Sequence, residues 1–466
     1  MRSTHPTLLG AWLAALALAG GCGDVQKIAP DGGGSDGSPT ADGSAPGTAT
    51  VEVHNLLDPT NSGPLEDVPV LFFGPDGELS AEEATGADGR ASATVEPGST
   101  AVVLMPLPSF PAGIAQNFNF AIAGMQPGDE IVLSEEQVQG AFLGSMTFTL
   151  EVHPAAVDYE IHGGCSRSGT NGNVVSLNVY SGCVGADDRL DLLAVARDNT
   201  GAIVGTYAAE TTFAAGAEVP LPGTWLAPDT FTVRFAGLAS QLKTAEVRVG
   251  SAIDAQPFAL GSSDVLLKGA ESTATQSVAA GFGDSRVVGL GLYPAQVYSG
   301  EQDQLIRVAP DQSEVEITSD DLLPWYTAPI YSSADRSVSW AATGGSEPDV
   351  LFVAVSWTEK VSGASSYWYF IAPPDASSIA LPDLPEAYDA RDLQNPSEIQ
   401  GVLWAVDLSS LDGYDDARQV GFDPFYERPA MRLPAPAYSR RSTSYGITLR
   451  TIDRPGAPSL PVEVRR

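Results

Sequence analysis

The chain has 466 residues and a formal net charge of -34 at neutral pH. Two polyanions repel each other, so this charge argues against nucleic acid as a partner. The 48 glycines and 35 prolines, in a chain without long amphipathic helical patterns, indicate an all-β protein rich in turns. The length suffices for about two to four domains.

The N-terminus has the pattern of a secretory signal peptide over residues 1–21. Arg2 supplies a positive charge, and the apolar run over residues 8–19 is too short to span a bilayer and is followed by small residues. On this interpretation alone, the signal peptide is an ordinary one and the next residue, Cys22, has no special role.

The stretch LALAGGC, residues 16–22, resembles the lipobox of bacterial lipoproteins, although that family prefers leucine at the position of Ala19. The resemblance implies that Cys22 carries a lipid, becomes the mature N-terminus and anchors the chain to a membrane. Gly23 stands where inner-membrane lipoproteins often have aspartate. It therefore implies the outer membrane of a Gram-negative bacterium, with the chain facing the periplasm or the cell surface.

Residues 22–48 are rich in glycine, serine, proline and aspartate. Apolar residues are too few there to form a core, which predicts a disordered linker between the anchor and the first domain.

Short alternating strands separated by turns follow over residues 49–140, the predicted first domain. Strands are predicted at residues 50–54, 68–73, 91–96 and 101–105. The stretches PLEDVPV at 64–70, ADGRA at 87–91 and VEPG at 95–98 resemble carboxypeptidase regulatory-like, or transthyretin-like, modules. The resemblance implies a β-sandwich that acts as a spacer or binding module and has no catalytic residues.

A second β-sandwich is predicted over residues 141–250. Its strands alternate or are solidly apolar, and glycine- and asparagine-containing turns separate them: 148–152, 158–161, 174–180, 190–196 and 231–235.

Cys165 and Cys183 each follow a predicted strand of this second domain. A pair of cysteines in an exported chain usually forms a disulfide, and closing this loop would stabilise the domain by roughly 3 kcal/mol. The alternative, a metal site, would need a second ligand pair at the right spacing. The sequence shows none, so it predicts neither a metal nor a cofactor.

Residues 251–466 form a third β-rich region, of one unit or two. Aromatic residues concentrate there, and alternation along the strand at 366–371 places Tyr367 and Tyr369 on one sheet face and Trp368 on the other. One face is expected to pack in the core. The other, taken as the face with Tyr367 and Tyr369, forms with Trp325 the candidate binding surface for a glycan or a protein, with ring faces offered to the ligand. The competing interpretation is that every ring packs in the core.

Other chemistry-bearing residues favour structural roles. The histidines beyond residue 21 lack metal-ligand spacing, and the Ser240–Lys243 pair lacks the companion motifs of a nucleophile and base. Four aspartates between residues 407 and 416 suggest a solvated turn, with a Ca²⁺ site as the alternative.

The sequence therefore predicts tandem Ig-like or transthyretin-like β-sandwich domains on a lipid-anchored tether. The predicted role is non-enzymatic display of modules that bind a glycan or an envelope protein. A carbohydrate-active hydrolase and a purely structural spacer are the alternatives.

Overall fold

The computed structural model of the chain describes most residues from 45 to 446. The described ranges are 45–55, 63–105, 116–133, 141–163, 166–253, 256–267, 271–294, 301–359, 365–391, 396–409, 411–419, 422–423, 428–429 and 438–446. The predicted signal peptide, Cys22 and the tether up to residue 44 lie outside these ranges.

The first half of the described chain consists of strands joined by turns. These strands are β1 Gly47–Val53, β2 Pro69–Phe73, β3 Leu79–Ala84, β4 Arg90–Val95, β5 Ser99–Met105, β6 Gln116–Met125, β7 Glu130–Leu133, β8 Phe142–Leu150, β9 Asp158–His162, β10 Arg167–Thr170, β11 Val174–Tyr180, β12 Arg189–Arg197, β13 Ile203–Thr212, β14 Glu218–Leu221, β15 Asp229–Ala236 and β16 Leu242–Ile253.

The second half continues in the same way and adds one short helix. Its elements are β17 Gln256–Leu266, β18 Glu271–Val278, β19 Ser285–Pro294, β20 Glu301–Val308, β21 Glu314–Ile317, β22 Trp325–Tyr326, β23 Ile330–Ser332, β24 Ser337–Ser339, β25 Ala342–Thr343, β26 Val350–Glu359, β27 Ser365–Ala372, β28 Ser378–Ala380, β29 Pro396–Leu408, α1 Tyr414–Gln419, β30 Phe422–Asp423, β31 Arg428–Pro429 and β32 Tyr438–Gly446. The prediction of an all-β fold is confirmed. Within the described residues, no helix is long and apolar enough to cross a bilayer.

Strands β8–β14 form a sandwich, which we call the second unit. A four-stranded sheet in the order β10-β9-β12-β13 faces a three-stranded sheet in the order β11-β8-β14. Alternation explains the pairing: in β11 every second residue, Val175, Leu177 and Val179, is buried in the shared core, while the residues between them are exposed.

Strands β15–β21 form the third unit around a separate core. The three-stranded sheet β18-β15-β21 packs against β17-β16-β19-β20, with Phe231, Val247 and Leu290 among the buried residues. The structure thus differs from the predicted division at residue 250, which falls inside β16. Strand β15, assigned by its sequence to the second domain, pairs with β18 and β21. Strand spacing alone cannot show which of two neighbouring cores a strand joins.

A twelve-stranded sheet continues from the third unit to the N-terminal strands, in the order β17-β16-β19-β20-β32-β29-β26-β27-β6-β5-β2-β3. Its central contact is the parallel pairing of β6 with β27, which joins Gln116–Ile122 to Ser365–Ile371 in register. The N-terminal module and the C-terminal strands therefore share one sheet. We call β1–β7 with β23–β32 and α1 the composite unit.

Both faces of this sheet are covered in the composite unit. On one face, the strands β1, β4 and β7 contribute Val51, Ala93 and Ile131 to a core shared with Phe120 and Phe352. On the other face, the small sheet β23-β24-β28 and the segment before β23, with Leu323 and Tyr326, cover a core that includes Trp340, Trp357 and Trp368. We call these two sides the β1 face and the β24 face.

The turn before β4 depends on the conformational freedom of a glycine. Gly89 has a φ of 76°, and a Cβ there would lie 2.7 Å from the Val53 carbonyl oxygen. A larger residue would therefore meet both backbone strain and a clash, which is why the Asp88–Gly89 turn requires glycine.

Candidate functional site

The parallel pairing of β6 with β27 brings four aromatic rings together on the β1 face. Tyr367 lies opposite Phe118, and Tyr369 lies opposite Phe120. Period-two alternation puts all four on the same side of the sheet, while Trp368 points to the β24 face. The predicted separation of the two tyrosines from Trp368 is confirmed.

These rings stack in series, and we call Tyr367, Phe118, Tyr369 and Phe120 the aromatic column. Tyr367 and Phe118 have centroids 4.7 Å apart and planes 12° apart. Tyr369 then stacks on Phe118 at 6.1 Å and on Phe120 at 5.4 Å. Offset stacking at these distances stabilises each pair by about 0.5–1.5 kcal/mol beyond burial.

The four rings of the column differ in how deeply they are buried. Phe120 is fully buried and Phe118 nearly so, whereas Tyr367 and Tyr369 are half-buried beside the core. The expectation that both tyrosines offer ring faces needs correction, because Tyr369 has Phe118 and Phe120 stacked against it. Tyr367 is the terminal ring, and its only ring contact among the described residues is with Phe118.

Small uncharged polar side chains lie beside the Tyr367 end of the column. Ser356 lies opposite Tyr367 on β26, and Gln400 lies opposite Ser356 on β29. One register step further, Ser365 pairs with Thr358, with their hydroxyl oxygens 3.4 Å apart. All four are half-buried. We call Ser356, Thr358, Ser365 and Gln400 the polar border of the column.

Sequence reasoning missed Phe118, Phe120 and the polar border. Nothing local in β6 signals its partner, which lies more than 240 residues away and is joined by Asn117 Nδ2 to Ser366 Oγ at 3.4 Å. The alternating aromatics at 118 and 120 were the available signal, but they indicate only a strand with one buried face.

Trp325 does not join this site. It lies in β22, paired with Thr343, and is half-buried against the core of the third unit. The remaining tryptophans of the predicted aromatic region, Trp340, Trp357, Trp368 and Trp404, are buried in the two cores of the composite unit.

Two acidic residues near β27 and β28, Asp375 and Asp383, lie away from the column. Asp383 pairs with Arg336, Nε to Oδ1 3.0 Å, next to the segment that covers the β24 face. Asp375 is exposed in the turn between β27 and β28. The structure therefore brings neither acid to Tyr367.

The histidines have structural partners. His162 Nε2 lies 3.2 Å from Glu160 Oε2, and Arg197 Nε donates to Glu160 Oε1 at 2.8 Å. Burial alone would raise the pKa of Glu160, but the hydrogen bonds from His162 and Arg197 outweigh it and lower the pKa to about 2. His54 sits beside Glu52, which also pairs with Arg90. His153 packs edge-on against Trp225.

The Ser240–Lys243 pair is not arranged for nucleophilic catalysis. Lys243 Nζ donates to the Ser240 carbonyl oxygen at 2.6 Å, so the amine is bound to backbone. A general base would need to reach the serine hydroxyl instead.

The aspartates near Gly413 act as local hydrogen-bond acceptors. Asp416 accepts from the Asp412 amide at 3.0 Å, and Asp415 pairs with Arg418. In the described part of the chain, no cluster of acidic, histidine or cysteine side chains could hold a metal ion. The interpretation as an acidic turn fits these contacts.

Cys183 is buried in the core of the second unit at the end of a short 3-10 turn, Ser181–Cys183. Cys165 lies outside the described residues, so the bridge between them stays a prediction. Ser166, the residue after Cys165, contacts the strand that precedes Cys183: its Oγ donates to the Asn178 carbonyl oxygen at 2.6 Å.

No protein-family model and no curated protein matches the chain. Among solved structures it is similar to the Bacillus anthracis TIE protein, at 11% identity and a TM-score of 0.14, over 59% of this chain and 50% of that one. It is also similar to GBS52, the minor pilin of Streptococcus agalactiae, at 11% identity and a TM-score of 0.15, over 39% of this chain and 99% of that one. A third similarity is to a tetra-tandem repeat in the extending region of a large adhesion protein, at 13% identity and a TM-score of 0.13, over 78% and 95%.

The chain spans half the length of the TIE protein it matches. TM-scores this low carry no argument about function. The all-β assignment therefore rests on the strands and sheets described above.

Proposed function

We propose that the chain is a lipid-anchored display protein of the Gram-negative cell envelope, which binds a ligand through the aromatic column and has no catalytic role. The observation that carries the proposal is the half-exposed end of the column at the edge of the β1-face core. Tyr367 and Tyr369 lie beside the β1-face core without being enclosed by it.

Such a surface suits recognition for a physical reason. A tyrosine held by stacking has little rotamer freedom left to lose, so its apolar area and hydroxyl contribute to binding at low entropic cost. The neighbouring strands β6, β26 and β27 fix the ring positions through long ladders on both sides. The site is thus pre-organised, as binding modules require.

The anchor is the second part of the proposal and rests on the lipobox-like sequence that ends in Cys22. Strand β1 begins at Gly47. A glycine- and serine-rich coil over residues 23–46 would separate the first strand from the membrane by about 25–30 Å on average. This distance would let the folded units reach ligands in the envelope.

Replacement of Cys22 by serine tests the anchor. The variant should move from the membrane fraction to the soluble fraction, because a serine hydroxyl cannot take the thioether-linked lipid. Fractionation with and without detergent, and mass spectrometry of the N-terminal peptide, measure the change. A C22S protein that still sediments with membranes would show that the chain is held there by something else.

Retention on isolated envelope tests the binding surface. Envelope from the producing cells is immobilised, and the purified full-length protein is passed over it in detergent. The double variant Tyr367→Ala/Tyr369→Ala should lose at least about tenfold in affinity, which corresponds to the burial of one aromatic anchor.

The matched control is Tyr180→Ala, which removes a half-buried tyrosine of the second unit that packs edge-on against Phe142. It should bind like wild type, and near-ultraviolet circular dichroism checks that all variants are folded. Equal retention of the double variant and the control would rule out the column as the binding surface. Treating the envelope with protease or with periodate then separates a protein ligand from a glycan ligand.

A further inference from the structure

We propose that the Tyr367 end of the aromatic column binds a neutral sugar ring, stacked on the outer face of Tyr367 and hydrogen-bonded by the polar border. This inference rests on the proposed function and names the ligand class of the same site. It also divides the two tyrosines into one that contacts the ligand and one that supports it.

The stacking order decides which ring is available. Tyr369 has one ring on each side in the column, Phe118 at 6.1 Å and Phe120 at 5.4 Å, so a ligand can reach only its edge. Tyr367 stacks on Phe118 at 4.7 Å on one face. No further ring contact of Tyr367 exists among the described residues, and the residue is half-buried. The C–H face of a pyranose matches such a single exposed ring face.

The chemistry around this face is uncharged. Ser356 and Gln400 lie in the same register row as Tyr367, and Ser365 and Thr358 lie in the next row outward. Hydroxyls donate and accept, and an amide does both through different atoms. These groups match the hydroxyls of a sugar, which also donate and accept, and the carbonyl and N–H of an N-acetyl group.

Charge argues against an anionic sugar. The chain carries a net charge of -34, which repels uronates, sialic acids and sulfated sugars. None of the eight residues of the column and its polar border is charged, and the Arg391 guanidinium near Phe118 donates to the Met105 and Phe118 backbone carbonyl oxygens. Neutral hexoses and N-acetylhexosamines are the class that remains.

The test uses sugars from the envelope itself. Oligosaccharides released from the producing cells' envelope are separated by anion exchange into a neutral pool and an anionic pool. Each pool is titrated into the full-length protein by isothermal calorimetry and is also used to compete against envelope retention. The neutral pool should bind and compete, and the anionic pool should do neither.

Four variants separate the roles of the residues. Tyr367→Ala should weaken neutral-pool binding by about tenfold or more, while Tyr367→Phe, which keeps the ring face, should stay within about threefold of wild type. Tyr369→Phe keeps the column and should change the affinity by less than about twofold. Ser365→Ala should weaken binding by about two- to tenfold, the value of one hydrogen bond.

Three results would overturn the inference: binding of the anionic pool in preference to the neutral pool, neutral-pool binding that Tyr367→Ala leaves intact, or no binding of either pool. Retention that protease treatment abolishes and periodate does not would also overturn it while leaving the proposed function in place. If the double tyrosine variant is retained on envelope like wild type, the proposed function itself fails.

Discussion

Replacement of Arg418 by methionine should lower the free energy of unfolding by about 3–5 kcal/mol, the usual cost of leaving one partner of a buried ion pair uncompensated. The Arg418 side chain is 4% exposed and its partner Asp129 is 3% exposed, with Nε 2.8 Å from Oδ2. Asp129 also accepts from the Gln126 amide at 2.7 Å, so its carboxylate is fixed in the turn before β7. Without the guanidinium, that charge would remain buried and unpaired.

The ion pair between Arg418 and Asp129 joins two parts of the chain that are far apart in sequence. Arg418 comes from α1, and the turn that holds Asp129 belongs to the N-terminal module. The guanidinium also lies 5.6 Å from the centre of the Tyr414 ring, and Tyr414 Oη lies 2.6 Å from the Ala123 carbonyl oxygen. Loss of Arg418 should therefore loosen the contact of α1 with β6 and β7, not α1 alone.

Two comparisons make this prediction specific, both measured by chemical denaturation of the full chain. Arg90→Met removes an ion pair with Glu52 in which Arg90 is 46% exposed, and it should cost much less than Arg418→Met because solvent screens an exposed pair. The double variant Arg418→Met/Asp129→Asn removes both charges and should recover part of the loss. If R418M costs no more than R90M, the pair between α1 and the β7 turn does not hold the unit together.

The local strand pattern could be predicted because alternation is a local property. The strand predicted over residues 174–180 is found as Val174–Tyr180, and the one predicted over 366–371 extends by one residue at each end. Onset of order was expected near residue 48, and β1 begins at Gly47. In each case, one buried face imposes a period of two on the residues themselves.

The solidly apolar run over residues 190–196 belongs to β12, a strand that is buried on both faces. Leu192 and Ala194 face the core of the second unit. Leu193 and Val195 face outward, but they are also buried, because they pack against Phe258 and Phe282 of the third unit. A strand covered on both faces loses its alternation. The sequence therefore signals the contact between units without identifying the partner.

The pairing of β6 with β27 could not be predicted, and neither could the column that depends on it. Register between strands far apart in sequence is fixed by the match of their buried faces, not by any local motif. Tyr367 and Tyr369 were therefore identified as residues on one face, whereas their stacking partners, Phe118 and Phe120, were not. For the same reason, Trp325 was grouped with rings that belong to another core.

Removal of the Trp368 ring tests the two-faced arrangement of β27 directly. Trp368→Ala should destabilise the protein by about 3–5 kcal/mol, because it removes a large buried ring and leaves a cavity. The side chain is 0% exposed and stacks on Phe370 with centroids 5.4 Å apart. Its Nε1 donates to the amide oxygen of Asn119 at 2.9 Å when that amide is oriented to satisfy both of its polar atoms. The variant would therefore also leave a buried acceptor without its donor.

The neighbouring position supplies the control on the same strand. Tyr367→Ala removes a half-buried ring and should cost clearly less than Trp368→Ala, because it loses one stacking contact, worth about 0.5–1.5 kcal/mol, and the burial of only part of a ring. Trp368→Phe, which keeps a ring but loses the N–H, should fall between these two variants. Denaturant midpoints and slopes for the three proteins give the order. Tyr367 and Trp368 point to opposite faces of one strand, so their alanine variants should differ in the free energy of unfolding. A Tyr367 variant as unstable as the Trp368 variant would mean that Tyr367 belongs to the core and is not available for binding.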